Sequence, residues 1–173
     1  MSMRRAAAAW AGPALILGFT LFAFRGFVFH DRLTNEHPDL LAFWLPRWTF
    51  LGRSIASGHV PVWNPYEMAG YRFAADPQSG WLALLPSWLF AAFSPGVAMR
   101  AILVLQPAIA GVGLYAFLRI DGVGRVAATV GGLSLVGMIA TSEIALAMPF
   151  AGALAWTTLT LLGAAGFVRA DRW

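Results

Sequence analysis

Four long apolar runs, separated by polar turns, dominate the pattern of this chain. They predict membrane helices at residues 6–28, 97–118, 126–148 and 150–168, because about 20 mainly apolar helical residues cross the hydrocarbon core of a bilayer. The first run follows Arg4 and Arg5, as in a signal peptide, but it is long for one and no Ala-x-Ala-like cleavage site follows it. We therefore predict a single all-α membrane domain over residues 1–173, with about four transmembrane helices.

Residues 29–96 form a predicted loop outside the membrane that carries two shorter helices, at 40–57 and 81–93. The apolar positions of the first helix recur at alternating spacings of three and four and make one stripe: Leu41, Trp44, Trp48, Leu51 and Ile55. Arg47 and Arg53 fall mostly away from that stripe. Asp39 can cap the start of the helix and Gly58 its end, while Pro46 should kink or break it. Helices of this kind suit the membrane interface.

The stretch between these two helices, residues 58–80, is dense in Pro, Gly, Asn and Asp, which fix turns and stop helices. Its irregular backbone cannot lie in hydrocarbon, where each unpaired polar group would cost several kcal/mol. It must lie at the membrane surface or line a wet cavity. Because it also carries polar-tipped aromatic side chains and two acids, we expect the chemistry of the protein here: Trp63, Tyr66, Tyr71, Glu67 and Asp76.

Composition supports a membrane protein. Hydrophobic residues make up 59% of the chain and charged residues 12%, against about 45–50% and about 25% in soluble domains. All 12 basic residues are Arg. Four crossings would place six of them, near the predicted helix ends, on one side of the membrane: Arg4, Arg5, Arg119, Arg125, Arg169 and Arg172. The positive-inside rule makes that side, with the N-terminus, cytoplasmic, so the 29–96 loop faces outward.

Several classes of function are excluded or disfavoured. The chain has no Cys, which rules out disulfides, thiolate catalysis and Cys-ligated metals. Its three His residues lack the paired spacing of a zinc site, no basic stripe indicates nucleic acid, and no P-loop or Gly-x-Ser-x-Gly motif occurs. The acids outside the membrane admit two interpretations. They serve loop solubility, with Asp39 as a helix cap and Asp76 in an Asp-Pro turn, or one or two converge as a general base or metal ligand.

The 58–80 segment resembles the signature of bacterial YfhO-type membrane proteins, which are relatives of the polyprenyl-phosphate-dependent glycosyltransferases of the GT-C fold. The resemblance covers the loop closely and the following helices loosely. It rests on Gly58-x-x-Pro61-x-Trp63-Asn64-Pro65-Tyr66, then Gly70, then Ala75-Asp76-Pro77-Gln78-x-Gly80.

This resemblance implies transfer of a sugar from a polyprenyl-phosphate donor to an acceptor hydroxyl outside the bacterial cytoplasmic membrane. Asp39 best matches the family's acid ahead of the amphipathic helix, with Asp31 as runner-up, and Asp76 matches the acid of the Ala-Asp-Pro-Gln element. The resemblance implies three kinds of substrate-binding residue. Arginines can bind two phosphate oxygens at once: Arg47, Arg53 and Arg72. Aromatic rings can stack on a sugar, and two amides can bind its hydroxyl groups: Trp63, Tyr66, Tyr71, Asn64 and Gln78. For Trp44, Trp48 and Trp81 an interfacial aromatic belt is the preferred interpretation.

Enzymes of the GT-C fold have many more membrane helices than four, so we expect this chain to be the N-terminal part of a larger protein, acting with a further C-terminal part or a partner membrane protein. Two alternatives stay open. One is a non-catalytic membrane module that docks another protein. The other is a transporter, which the few polar residues inside the predicted spans disfavour. The sugar, the acceptor and the cofactor are open, a divalent cation being one candidate.

Overall fold

The computed structural model describes residues 3–29, 38–81, 83–142 and 148–170. Over these residues the protein is all-α, and its β-structure is limited to one isolated bridge. The helices are α1 (Met3–Ala23), α2 (Arg25–Phe29), a π-helix (Leu40–Trp44), α3 (Leu45–Ala56), α4 (Leu84–Ala92), α5 (Pro95–Ile120), α6 (Arg125–Thr141) and α7 (Met148–Ala170). The chain divides into a bundle unit, residues 1–30 and 104–173, and a loop unit, residues 31–103.

Two helices are long and apolar enough to cross a membrane, α5 over Pro95–Ile120 and α7 over Phe150–Ala170. Two further apolar stretches are shorter, Trp10–Ala23 in α1 and Arg125–Thr141 in α6. The predicted first span of 6–28 is interrupted at Phe24, where α1 gives way to the short α2. The predicted third span, 126–148, is helical only to Thr141, and residues 143–147 lie outside the described part. Four crossings therefore stay a prediction.

Glycines bring α1, α5 and α6 together in the bundle unit. A Cβ built on Gly132 of α6 would lie 2.5 Å from Ile16 Cδ1 and 2.7 Å from the carbonyl oxygen of Gly111. A Cβ on Gly111 of α5 would lie 2.6 Å from Val136 Cγ2. Since real Cβ atoms do not approach so closely, only glycine allows these backbones to meet, which is the packing that membrane helices favour.

A further helix of this unit, α7, follows the same rule. A Cβ on Gly113 of α5 would lie 2.5 Å from Thr158 Oγ1 of α7. At its C-terminal end, Arg169 Nη2 lies 3.9 Å from Asp121 Oδ1 in the turn between α5 and α6. Both side chains are exposed, so this ion pair contributes little stability. It does place the arginine-bearing end of α7 beside the α5–α6 turn.

The loop unit is built on α3 packed against α4. A Cβ on Gly52 would lie 2.2 Å from the carbonyl oxygen of Phe90, so the two helices meet backbone to backbone there. Trp48 packs edge to face on the Phe90 ring, with ring centroids 5.9 Å apart. Ser87 at the start of α4 donates to the carbonyl oxygen of Trp81 at 3.2 Å, which attaches the segment before α4 to that helix.

The predicted kink at Pro46 takes the form of a change of helix type. The backbone N–H of Leu45 donates to the carbonyl oxygen of Leu40, five residues back, and closes the π-helix; α3 then begins at Leu45 with Pro46 in its first turn. Proline has no N–H to continue an α-helical ladder, so the wider turn falls directly before it.

Three sequence predictions about this helix need correction. Asp39 lies in helical conformation and makes no side-chain capping hydrogen bond. Trp44 and Trp48, predicted as part of an interfacial belt, are buried inside the loop unit. Arg47, predicted to lie away from the apolar stripe, is only 3% exposed, whereas Leu41 of that stripe is exposed.

We expect Gly132→Ala to destabilise the bundle unit by about 1–3 kcal/mol, because the added methyl group overpacks a contact that includes backbone atoms. Gly163→Ala is the matched control: its Cβ meets nothing within 4 Å, so the change should be neutral or slightly stabilising. Denaturant unfolding in detergent measures both. Equal effects of the two substitutions would contradict this packing.

Candidate functional site

The 58–80 segment begins where α3 ends. Gly58 has φ of +75°, its N–H donates to the carbonyl oxygen of Ile55, and the N–H of His59 donates to that of Ser54, both at 2.9 Å. This pair of bonds is a Schellman motif, which satisfies the last carbonyl groups of the helix and reverses the chain. The predicted stop at Gly58 is thus confirmed, and the chain after it returns along α3.

A tight reversal follows at residues 64–71. Asn64 and Tyr71 form an antiparallel bridge, each backbone N–H donating to the other's carbonyl oxygen at 3.0 Å. Between them Met68, Ala69 and Gly70 all have positive φ, which is strained for the two residues with side chains. A Cβ on Gly70 would also lie 2.5 Å from Trp63 Cζ2, so this position requires glycine. The reversal brings Glu67 and Tyr71 to the same place.

The guanidinium group of Arg47 lies beside the side chains of Glu67 and Tyr71. It donates through Nη2 to Asp76 Oδ2 and to the Tyr71 hydroxyl, and its Nε lies 3.8 Å from Glu67 Oε2. We call these four side chains the Arg47 cluster: Arg47, Glu67, Tyr71 and Asp76. A charge removed from water needs partners of opposite charge and hydrogen-bond acceptors, and both carboxylates supply them.

Aromatic rings enclose the same guanidinium. Its carbon lies 4.4 Å from the ring centroid of Phe43, 5.2 Å from that of Tyr71 and 5.8 Å from that of Phe73. The faces of such rings attract a cation, and arginine stacks on them more readily than lysine does. Phe73 is itself fully buried. The Arg47 cluster therefore joins α3 to the 64–76 chain through ionic and aromatic contacts together.

Glu67 is held by a buried amide. Asn64 is 1% exposed; its Nδ2 donates to Glu67 Oε2 at 2.9 Å, and its Oδ1 accepts from the backbone N–H of Tyr66 at 3.0 Å. The second bond fixes which end of the amide faces Glu67, because only the nitrogen can donate to a carboxylate. The orientation of the carboxylate is therefore set by the reversal itself.

Asp76 has both oxygens engaged. Its Oδ1 accepts from the backbone N–H of Gln78 at 2.8 Å, which is an Asx turn, and its Oδ2 accepts from Arg47. The N–H of Ser79 also donates to the Asp76 carbonyl oxygen at 3.0 Å. The predicted Asp-Pro turn at this residue is confirmed, and the same carboxylate neutralises the buried cation.

Burial raises the pKa of the Tyr71 hydroxyl to about 12, and the negative charges of Glu67 and Asp76 act in the same direction against the opposing effect of Arg47. A hydrogen bond with Glu67 adds to the rise. The phenol therefore keeps its proton at neutral pH and stays a hydrogen-bond donor within the cluster.

A cavity of about 600 Å³ opens beside the cluster, within the loop unit. Polar residues of α3 and its C-terminal end line the cavity on one side: Thr49, Arg53, Ser54 and Ser57. The reversal contributes Asn64, Tyr66 and Glu67. The remaining lining residues are apolar: Leu41, Leu45, Pro46, Phe50 and Pro95. Its volume lies in the range of about 300–1,000 Å³ that small-molecule sites have.

The structure gathers some of the predicted site residues and separates others. Arg47, Tyr71 and Asp76 share the Arg47 cluster, while Arg53, Asn64 and Tyr66 line the cavity. The other described residues of the predicted set are exposed and do not line the cavity: Asp39, Trp63, Arg72 and Gln78. Asp31 lies outside the described residues. The catalytic and binding roles of all these residues stay predictions.

Glu67, named from the sequence as an acid of the 58–80 segment but given no catalytic or binding role, is the one acid, among the described residues, that lines the cavity. Its position directly after the Trp-Asn-Pro-Tyr string was the signal available in the sequence. Among the described residues no group of three or more His, Asp or Glu side chains could hold a metal ion.

Comparison of the chain with known protein families, with curated proteins and with solved structures gave no match.

We expect Asp76→Asn to destabilise the protein by about 2 kcal/mol, because it leaves the buried Arg47 cation with one carboxylate fewer; the effect falls short of a fully buried pair since the Asp76 side chain is 23% exposed. Asp121→Asn, in an exposed ion pair, is the matched control and should change stability by less than about 0.5 kcal/mol. Thermal unfolding in detergent compares them. A similar, small effect of both would show that the cluster does not stabilise the fold.

We expect stability to fall as pH rises from about 10 to about 12. The pKa of Tyr71 is raised in the folded protein, so over this window the folded state holds a proton that the unfolded state has lost. The contribution is complete below pH 10 and is lost through pH 12. Tyr71→Phe should remove this part of the decline, which melting temperatures of the two proteins across the pH range would measure. Parallel curves would refute it.

Proposed function

We propose that the protein is a membrane glycosyltransferase, or part of one, that transfers a sugar from a polyprenyl-phosphate donor to an acceptor hydroxyl outside the cytoplasmic membrane. The observation that supports it most is the 600 Å³ cavity formed by the segment that resembles the GT-C relatives. Its walls combine charged, hydroxyl and apolar groups, as a substrate with a polar head and an apolar tail requires. The two apolar helices long enough to cross a membrane agree with a lipid-linked donor.

The reaction forms one bond and breaks one. The acceptor oxygen attacks the anomeric carbon of the sugar, its proton passes to a carboxylate, and the carbon–oxygen bond to the lipid phosphate breaks with the electron pair leaving on the phosphate. Of the acids named by the resemblance, Asp76 has both oxygens engaged and acts as a positioning residue through Arg47. Asp39, at the start of the helical segment, precedes Leu41 of the cavity wall by two residues and is the acid assigned to the proton.

Arg47 and Arg53 also have different roles. Arg47 is buried and shared between two acids, whereas Arg53 is exposed on the cavity wall. Arg53 is therefore the cation assigned to the departing phosphate, because an exposed guanidinium can fork onto phosphate oxygens without breaking an internal ion pair. Charge stabilisation of this kind acts where negative charge develops in the transition state.

The test measures transfer of a labelled sugar from a polyprenyl-phosphate donor to acceptors of the cell envelope. Membranes are prepared from cells in which the chromosomal gene for this protein is intact, deleted or carries a substitution. We expect deletion to abolish the transfer and Asp39→Asn to lower it by a factor of about 10² or more, since the proton acceptor is lost. Asp121→Asn is the control, because its side chain is exposed in the α5–α6 turn.

Transfer that persists after deletion would refute the enzymatic proposal. If deletion abolishes transfer but Asp39→Asn and Asp76→Asn both behave as wild type, the chain acts as a non-catalytic module of a larger assembly, which is the alternative function.

A further inference from the structure

Several hydrogen-bonding groups on the cavity wall are acceptors. Thr49 Oγ1 donates its proton to the carbonyl oxygen of Leu45 at 2.7 Å, and Ser57 Oγ lies 2.9 Å from carbonyl oxygens within α3 and 3.1 Å from His59 Nδ1. A hydroxyl group has one proton, so Thr49 presents only lone pairs to a ligand. The carboxylate of Glu67 can likewise only accept.

The strong donor on this wall is the guanidinium of Arg53. A bound phosphate needs several donors, whereas a ring with several hydroxyl groups supplies its own and needs acceptors. Beside Glu67 the wall therefore favours a neutral, hydroxyl-rich ligand over an anion, whereas Arg53 is left for the lipid phosphate.

Glu67 is pre-oriented for such a ligand. The Nδ2 group of Asn64 donates to Glu67 Oε2 at 2.9 Å, and Arg47 Nε lies 3.8 Å from the same oxygen. Asn64 is itself fixed by the backbone of Tyr66, so the carboxylate does not have to reorganise on binding.

Aromatic rings provide a surface for the apolar face of a ligand ring. Tyr66 and Phe50 both line the cavity and meet edge to face with centroids 6.2 Å apart. The Tyr66 side chain is 84% exposed, so its ring is open to a partner. A sugar combines a C–H face with hydroxyl groups at its rim, which matches this arrangement of ring and carboxylate.

We propose that this cavity binds the acceptor sugar, as a neutral hydroxylated ring that donates hydrogen bonds to Glu67 and lies against Tyr66. The inference rests on the proposed function and adds to it which substrate occupies the cavity and that Glu67, to which the sequence assigned no role, selects it.

The test is saturation-transfer NMR on the purified full chain in lipid nanodiscs. The probes are the methyl β-glycosides of glucose, galactose and mannose. Two controls accompany them: tetrahydropyran-2-methanol, which keeps the ring and lacks most hydroxyls, and inorganic phosphate. We expect at least one methyl glycoside to bind, whereas tetrahydropyran-2-methanol should not bind. Phosphate should not displace the glycoside.

Glu67→Gln should weaken glycoside binding at least about tenfold, because hydrogen bonds to a charged group are stronger than those to a neutral amide. Asp121→Asn is the control, since the Asp121 side chain is exposed in the α5–α6 turn and does not line the cavity. Tyr66→Ala is a second variant, for the case that Glu67→Gln disturbs the fold. Because Tyr66 is exposed, its truncation leaves the fold intact, and it should also weaken glycoside binding at least about tenfold.

The inference is overturned if no methyl glycoside binds the wild-type chain, if phosphate displaces a bound glycoside, or if neither the Glu67 nor the Tyr66 variant binds more weakly than the Asp121 control. These outcomes are separate from sugar transfer in membranes. Transfer without glycoside binding refutes only the acceptor assignment, and glycoside binding in a chain whose deletion leaves transfer unchanged refutes only the enzymatic proposal.

Discussion

The loop unit depends on one buried cation. Arg47 is only 3% exposed, and a guanidinium taken out of water is tolerated only when carboxylates and hydrogen-bond acceptors replace the lost hydration. Asp76, Glu67 and Tyr71 meet this requirement from three points of a single turn-rich segment. The cation therefore dictates where that segment lies on α3, and the segment's position in turn creates the wall of the cavity that carries Glu67.

Much of the helical architecture could be predicted from the sequence because it follows from local rules. Runs of about 20 mainly apolar residues predicted α5 and α7 to within a few residues. Pro46 and Gly58 act on the backbone through a missing N–H and a positive φ, so their effects on α3 were visible without knowledge of the fold. The expectation that chemistry would lie in the 58–80 segment stays a prediction, although the cavity lies against it.

The site itself could not be predicted in the same way, because it depends on contacts between residues far apart in the chain. Periodicity counts Arg47 as polar and places it on the outer face, whereas its partner Asp76 is 29 residues away and reaches it only after the reversal at residues 64–71. That reversal uses positive φ at Met68 and Ala69, which residue type does not suggest. The close contact at Gly132 is hidden for the same reason, since the sequence does not reveal which helix a glycine faces.

A double-mutant cycle between Arg47 and Asp76 tests the dependence on the buried cation most directly. Unfolding free energies would be measured for Arg47→Met, Asp76→Asn and the double variant, in detergent at neutral pH. If the pair holds the segment on α3, the double variant is less destabilised than the sum of the single variants, with a coupling of about 1–3 kcal/mol, because neither member of the pair then faces the loss of the other. Additivity within about 0.5 kcal/mol would contradict the account.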